Sequence, residues 1–422
     1  MKMNYSNYRL TRKISLPVLA LLATGALACT VLADDAPQFR GPNRDGIYKE
    51  KGLLQSWGAG GPKLLWKSPR RGEGHATPSV ANGRVYGMGL RDNQEIVWAV
   101  DVKTGDEVWS TPIAPGISLD AGQGGYGSRS TPTVVGKKLY TLGVGGELVC
   151  LNVADGKLLW HKNLVKDFGG SIPTWGFCES PLIDGEKVIV APGGENTIIA
   201  LNRNTGDTLW TTRVPERDRA HYSSAITTEV DGVRQYIEFL GGGLIGVSAK
   251  DGKFLWRYNT PANGTANCAA PIAIENLIFA ASGYGTGGGL AQLTSNGGGI
   301  SAKQIYFTKE MQNHHGGMVV VGDYLYGFNG GTLTCLEFKT GKVMWTDRSV
   351  GKGSVTFADG RLYVRSERGP IALVEATPKG YVEAGRFDQP DRSGQPSWPY
   401  IVVSNGKMYV RDMNTLLCYD VK

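Results

Sequence analysis

Ala99-Val100-Asp101-Val102-Lys103-Thr104-Gly105-Asp106-Glu107-Val108-Trp109 places a short apolar strand, a Thr-Gly turn and a Trp-bearing strand in eleven residues. Thr-Gly and Asp-Gly pairs suit tight hairpins, because glycine reaches positive φ without a Cβ clash. The unit recurs. Trp109, Trp160, Trp210 and Trp256 are spaced 51, 50 and 46 residues apart, and Trp345 follows 89 later, about two periods, with Tyr306 and Phe307 where the missing ring belongs. Each of these tryptophans lies four residues after a turn glycine: Gly105, Gly156, Gly206, Gly252 and Gly341.

A second motif precedes the first. Thr77-Pro78-Ser79-Val80 runs to Gly83-Arg84-Val85-Tyr86, Thr131-Pro132-Thr133-Val134 to Gly136 and Tyr140, and Ser180-Pro181-Leu182-Ile183 to Gly185 and Ile189. Looser copies start near Ser224, Ala270, Gly317, Ser354 and Tyr400, making eight. Two further strands per unit of 40 to 50 residues predict an all-β, eight-bladed β-propeller of four-stranded antiparallel blades. The last copy, Tyr400 to Asp420, supplies three strands, and Lys63-Leu64-Leu65-Trp66 is a Trp strand with no preceding partner. Pairing the two closes the ring and removes the edges an open sheet would expose. Trp66 joins Trp109, Trp160, Trp210, Trp256 and Trp345 as a blade-to-blade packing residue. Cys150, Cys335 and Cys418 fill a slot held by Ala99, Ala200 and Gly246 in sister units, so they read as small apolar filling.

Composition fits a globular exported protein. Arg9, Arg12 and Lys13 precede an apolar run, Ile14 to Ala28, of 15 residues, too short for a comfortable span. Val31-Leu32-Ala33 matches a signal-peptidase site, which divides the chain into a signal peptide (1–33), an N-terminal extension (34–62) and the propeller (63–422). The reading is soluble export to the periplasm. Cys29 offers a lipoprotein alternative, but Ala26 stands where a lipobox usually has Leu. Residues 1–33 hold four basic side chains and no acidic one, so the formal charge falls from +7 to +3, which is no nucleic-acid footprint. No G-x-S-x-G or HExxH motif argues for a hydrolase.

The copies at Ala99–Trp109, Leu151–Trp160, Ala200–Trp210 and Leu336–Trp345 resemble the tryptophan-docking motif of the quinoprotein, or pyrroloquinoline quinone (PQQ)-repeat, propellers, over nearly the whole chain after residue 33. Pro37-Gln38-Phe39-Arg40-Gly41-Pro42-Asn43-Arg44-Asp45-Gly46 resembles the opening of exported members of that superfamily. The resemblance implies two branches. BamB-type propellers of the outer-membrane assembly machinery have no cofactor and act as scaffolds for envelope partners. PQQ-dependent dehydrogenases oxidise alcohols or sugars, with calcium held by Glu, Asn and Asp, a catalytic Asp and often a disulfide between adjacent cysteines. This chain has no Cys-Cys pair and no position that matches the catalytic Asp. The leading expectation is therefore a monomeric, non-catalytic envelope scaffold that binds a protein, peptide or polymer, with a PQQ-dependent dehydrogenase as the alternative.

Aligned on the Pro of the second motif, the residue three positions earlier is His75, Arg129, Cys178, Tyr222, Cys268, His315, Lys352 and Trp398. In a propeller these positions ring the mouth of the channel. Charged histidines beside Arg129 and Lys352 would make the mouth electropositive, and Tyr222, Trp398 and nearby Trp175 offer stacking faces, so the ring is expected to take an anionic aromatic ligand. Cys178, Cys268, His75 and His315 are zinc-ligand types, but no metal is expected: they come from four well-separated blades, and His314 and His315, as strand neighbours, should point opposite ways. Glu179, Asn267 and Asn313 are the residues near the ring with calcium-ligand chemistry.

Overall fold

A computed structural model describes residue 1 and residues 35–117, 119, 127–297 and 299–422. The expected signal peptide and Cys29 lie outside the described residues. Ala33–Lys422 is one compact unit. Among the described residues there is no helix, and none long and apolar enough to cross a membrane. Eight antiparallel sheets form the blades of a propeller. Blade 1 is typical: Ser79–Ala81, Arg84–Arg91, Gln94–Asp101 and Glu107–Pro115 follow each other as neighbours. Its middle strands bury both faces, as alternation requires. Val97 and Ala99 join one inter-blade core, while Ile96, Trp98 and Val100 join the other. Cys150, Cys335 and Cys418 are fully buried in such cores.

The ring closes as the orphan strand predicts. Lys63–Ser68 pairs antiparallel with Thr415–Asp420, with Trp66 opposite Cys418. Blade contacts show why the turn glycines recur. Gly105 has φ +75°, and a Cβ built on it would lie 2.6 Å from the indole of Trp66 in blade 8. Gly156 lies under Trp109 and Gly252 under Trp210, each with 2.5 Å to the same kind of ring atom. The indole N–H then donates to a carbonyl three residues before the glycine: Trp66 to Val102 (3.2 Å), Trp109 to Val153 (3.0 Å) and Trp160 to Arg203 (3.0 Å). In blade 5 Tyr306 takes the place of Trp; it lies over Gly341 and its hydroxyl donates to Phe338 O at 2.8 Å. Blade 5 lacks the short turn because Gly287–Asn296 and Gly299–Thr308 form a long hairpin, against which Trp256 packs.

The N-terminal extension enters the channel, a contact that no repeat in the sequence announces. Ala36 O accepts from Val80 N and Pro37 O from Val134 N, each at 2.8 Å, in blades 1 and 2. Arg44 donates to Ser180 O (2.7 Å) and Pro181 O (3.2 Å) of blade 3, and Arg40 to Met318 O of blade 6. Ile47–Tyr48 then adds a parallel fifth strand to blade 7. Positive φ at Arg40 (57°), Gly41 (83°), Arg44 (60°) and Gly46 (78°) coils the segment tightly enough to fit. Left-handed φ is costly for arginine, and hydrogen bonds from both guanidinium groups hold it. Beneath Arg44, Glu179 and Glu238 are buried together; burial drives both carboxyl pKa values up, Glu238 to about 7.

Candidate functional site

Residues at the entry of the inner strands enclose a cavity of about 300 Å³ on the propeller axis. Such volumes fall at the small end of ligand sites, about 300–1,000 Å³. His75, Arg129, Cys178, Tyr222, Cys268, His315 and Trp398 line it, one from each of seven blades. Lys352 does not. Its ammonium group lies behind the wall, 2.8 Å from His314 Nδ1 and 3.2 Å from Glu367, and it faces a neighbouring groove of about 510 Å³. Phe39 of the extension packs edge-on against Tyr400, with centroids 5.8 Å apart, and both line the cavity.

Trp398 organises one wall. His315 stacks on it at 4.3 Å and 28°, His75 lies 4.3 Å away at 39°, and the Arg129 guanidinium sits 5.3 Å from the ring centroid. Its indole N–H is buried without a hydrogen-bond partner. Tyr222 and Trp175 meet edge-to-face at 5.4 Å on the opposite side. These are flat apolar surfaces with one fixed cation, an arrangement that favours a planar, negatively charged guest.

Two expectations about the histidines need correction. His314 and His315 do not diverge. Residues 314–316 bend ahead of the strand Met318–Val321, so strand alternation does not apply. The two rings face each other at 3.5 Å and both line the cavity. Nor are they charged. Burial, with Lys352 nearby, pushes His314 down to about 3, and burial drives His315 well below the ordinary imidazole value. Positive potential therefore comes from Arg129 rather than from these imidazoles. Burial also raises the Cys178 thiol to about 11, so it is no thiolate nucleophile at neutral pH.

Tyr284 also lines the cavity, which the sequence reading missed; its signal is its place in the glycine-rich stretch after Gly283, where it adopts φ 54°. The three calcium-type residues turn away from the cavity. Glu179 Oε2 accepts from Ala191 N (2.8 Å), Asn267 Nδ2 donates to Leu240 O (2.8 Å), and Asn313 Nδ2 to Gly317 O (3.0 Å) and Phe328 O (3.2 Å). Glu179 and Asn313 tie the inner-strand entry to its own blade, and Asn267 ties the entry of blade 5 to blade 4. Among the described residues lining the cavity there is no Asp or Glu. The flat rings beside Arg129 have the shape and charge that a planar quinone would use, whereas the described lining offers none of the carboxylate oxygens that hard cations take.

Repeat, ring closure and cavity together define a quinoprotein-like β-propeller. Within that class the chain belongs to the family described as outer membrane protein assembly factor BamB, whose model matches residues 46–171, 93–347 and 290–398. It is 25% identical over 325 residues to BamB of Shewanella oneidensis, covering 74% of this chain and 68% of that one. It is 24% identical over 237 residues to tetrathionate hydrolase of Acidithiobacillus ferrooxidans, 52% of this chain but only 44% of that protein's length. Among solved structures, quinohemoprotein alcohol dehydrogenase from Comamonas testosteroni superposes with a TM-score of 0.65 at 15% identity, over 92% of this chain and 80% of that one, a likeness of fold.

Proposed function

We propose that this chain is an exported, non-catalytic binding module of the cell envelope, and that the central cavity is its ligand site. The observation that carries the reading is Trp398, flanked by His75 and His315 and overlaid by Arg129, in a cavity to which the described residues contribute no carboxylate. The guest is a small planar or ring-shaped anion, free or displayed on an envelope polymer or peptide. The BamB relatives are named as outer-membrane protein assembly factors, which supports a binding role, and the tetrathionate hydrolase relative is named for a small anionic substrate. The basic, then apolar, N-terminal stretch supports export to the periplasm.

The second reading is a PQQ-dependent oxidoreductase, favoured by the same stacking wall. Calcium separates the two. The test is a spectroscopic titration of the purified protein with PQQ and, separately, tetrathionate, with and without calcium, followed by a dye-linked alcohol-oxidation assay. Binding indifferent to calcium, without turnover, and weakened about tenfold by Trp398→Leu or Arg129→Gln, fits the loss of one stacking or charge contact of roughly 1–2 kcal/mol. Calcium-dependent binding with alcohol oxidation would establish the oxidoreductase instead. Failure of both anions to bind would remove the cavity reading.

A further inference from the structure

We infer that Cys268, His314 and His315 form a copper site in the cavity wall. This goes beyond anion binding and does not depend on it. The three residues belong to adjacent blades: Cys268 at the entry to blade 5, the histidines at the entry to blade 6. Well-separated blades argue against one metal on His75, Cys178, Cys268 and His315 together, and His75 and Cys178 do not join this group. The nearer trio escapes that objection. One donor atom from each lies within 4.8 Å of the other two, and the imidazoles are already face to face.

Ligand chemistry selects the metal. One sulfur and two imidazole nitrogens form a soft set, which disfavours magnesium and calcium. Structural zinc is almost always four-coordinate, and no fourth His, Cys, Asp or Glu joins the group among the described residues. Three such donors satisfy Cu(I), and a His₂Cys trigonal arrangement is characteristic of copper. The surroundings are apolar and aromatic. Tyr284 packs edge-on against His314 at 4.8 Å, and Trp398 covers His315. His314 Nε2 is buried with no hydrogen-bond partner, as a vacant ligand position would be. Lys352 donates to Nδ1 of the same ring, which puts the ring proton on Nε2; when copper takes Nε2 that proton moves to Nδ1, and the ammonium turns to Glu367, 3.2 Å away. Binding is an exchange without redox change: Cu(I) forms a bond to Cys268 Sγ, the thiol proton leaves to buffer, and the two neutral imidazoles donate lone pairs.

The test is an anaerobic Cu(I) titration of the purified protein against a chromophoric Cu(I) chelator, with X-ray absorption on the loaded sample. One equivalent of copper is expected, with one sulfur and two nitrogens around it. Cys268→Ser and His314→Gln should each weaken binding about tenfold or more, since even outer contacts to a metal ligand change affinity by about 10–100-fold. Copper held equally by Cys268→Ser, two sulfurs in the absorption spectrum, or zinc retained in preference to copper would each overturn the assignment. The absorption measurement needs no variant, so a misfolded mutant does not shield the inference. PQQ binding without copper binding refutes this site alone; copper binding without anion binding refutes only the proposed function.

Discussion

Gly105→Ala and Gly232→Ala should differ sharply in stability although their backbones are alike. Gly105 has φ +75° and Gly232 φ +77°. An alanine pays about 1–2 kcal/mol for left-handed φ, offset in part by its stiffer unfolded chain, so the two substitutions share a cost near ~1 kcal/mol. Around Gly232 a Cβ meets nothing within 4 Å. At Gly105 it meets three atoms of the Trp66 ring at 2.6, 2.8 and 3.1 Å. Trp66 cannot swing away, because its N–H is held by Val102 O and it packs on Tyr409. Overpacking of this kind costs about 1–3 kcal/mol. Gly105→Ala should therefore lose roughly 3 kcal/mol and Gly232→Ala roughly 1 kcal/mol. Gly206, whose nearest Trp160 atoms would stand at 3.1 Å, should fall between. Urea denaturation followed by fluorescence and circular dichroism reads the midpoints, with equal slopes required before comparison. A Trp66→Leu background should erase most of the excess at Gly105, a coupling that only touching residues show. Equal losses at Gly105 and Gly232 would mean that the glycine serves its turn alone and that the indole contact does not bind blade to blade.

Glu95 gives a pH-dependent prediction. It is buried, accepts from Ser128 Oγ at 2.6 Å, and burial raises its carboxyl to about 7. A folded pKa above the unfolded one means that its stabilisation is complete below about 4.5 and is lost as pH rises through about 7. Glu95→Gln should flatten the pH–stability curve across that window by a few kcal/mol, at about 1.4 kcal/mol per unit; melting curves of both proteins from pH 4 to 8 that stay parallel would contradict it. Arg44→Ala should cost about 3–5 kcal/mol, because it strips donors from buried Ser180 O and Pro181 O and removes the positive charge that acts on the buried Glu179–Glu238 pair; thermal unfolding that loses less than about 1 kcal/mol would show the extension to be a passive filler. Tyr306→Phe removes the hydroxyl bond to Phe338 O and should cost about 1 kcal/mol, whereas Tyr306→Trp should be tolerated, checked by the same midpoints.

What could be read in the sequence is what repeats. Trp66, Trp109 and Trp160 meet their glycines because each blade presents the same turn to its neighbour, so a spacing seen five times fixes a contact. Closure was legible for the same reason: Lys63–Ser68 had a Trp and no blade. The ring was legible as a position, one residue per blade counted back from the Pro. Its directions were not. Lys352 stands at the right count but turns to Glu367, a residue of the following hairpin that no alignment of repeats connects to it. His314 turns inward because residues 314–316 bend before the strand begins. The extension was least legible, since Ala36, Pro37, Arg40 and Arg44 each bond to a different blade and nothing periodic links those sites.

This division follows from how a propeller distributes its forces. Contacts that stabilise the ring lie between blades, where Trp–glycine stacking and alternating aliphatic strands recur, and any substitution there meets a neighbour built to the same pattern. Residues at the inner-strand entries face an axial space instead. Seven of the eight ring residues there, all but His75, are only partly buried, and Trp398 packs on His75 and His315 rather than into a core. Little in the repeat constrains them, so His75, Arg129, Cys268 and Trp398 are free to differ from blade to blade while the fold stays the same. A shared repeat therefore identifies the family without identifying its ligand. The chemistry of this chain has to be sought in eight unlike side chains at one end of the axis, where the Cys268–His314–His315 trio argues for a soft metal.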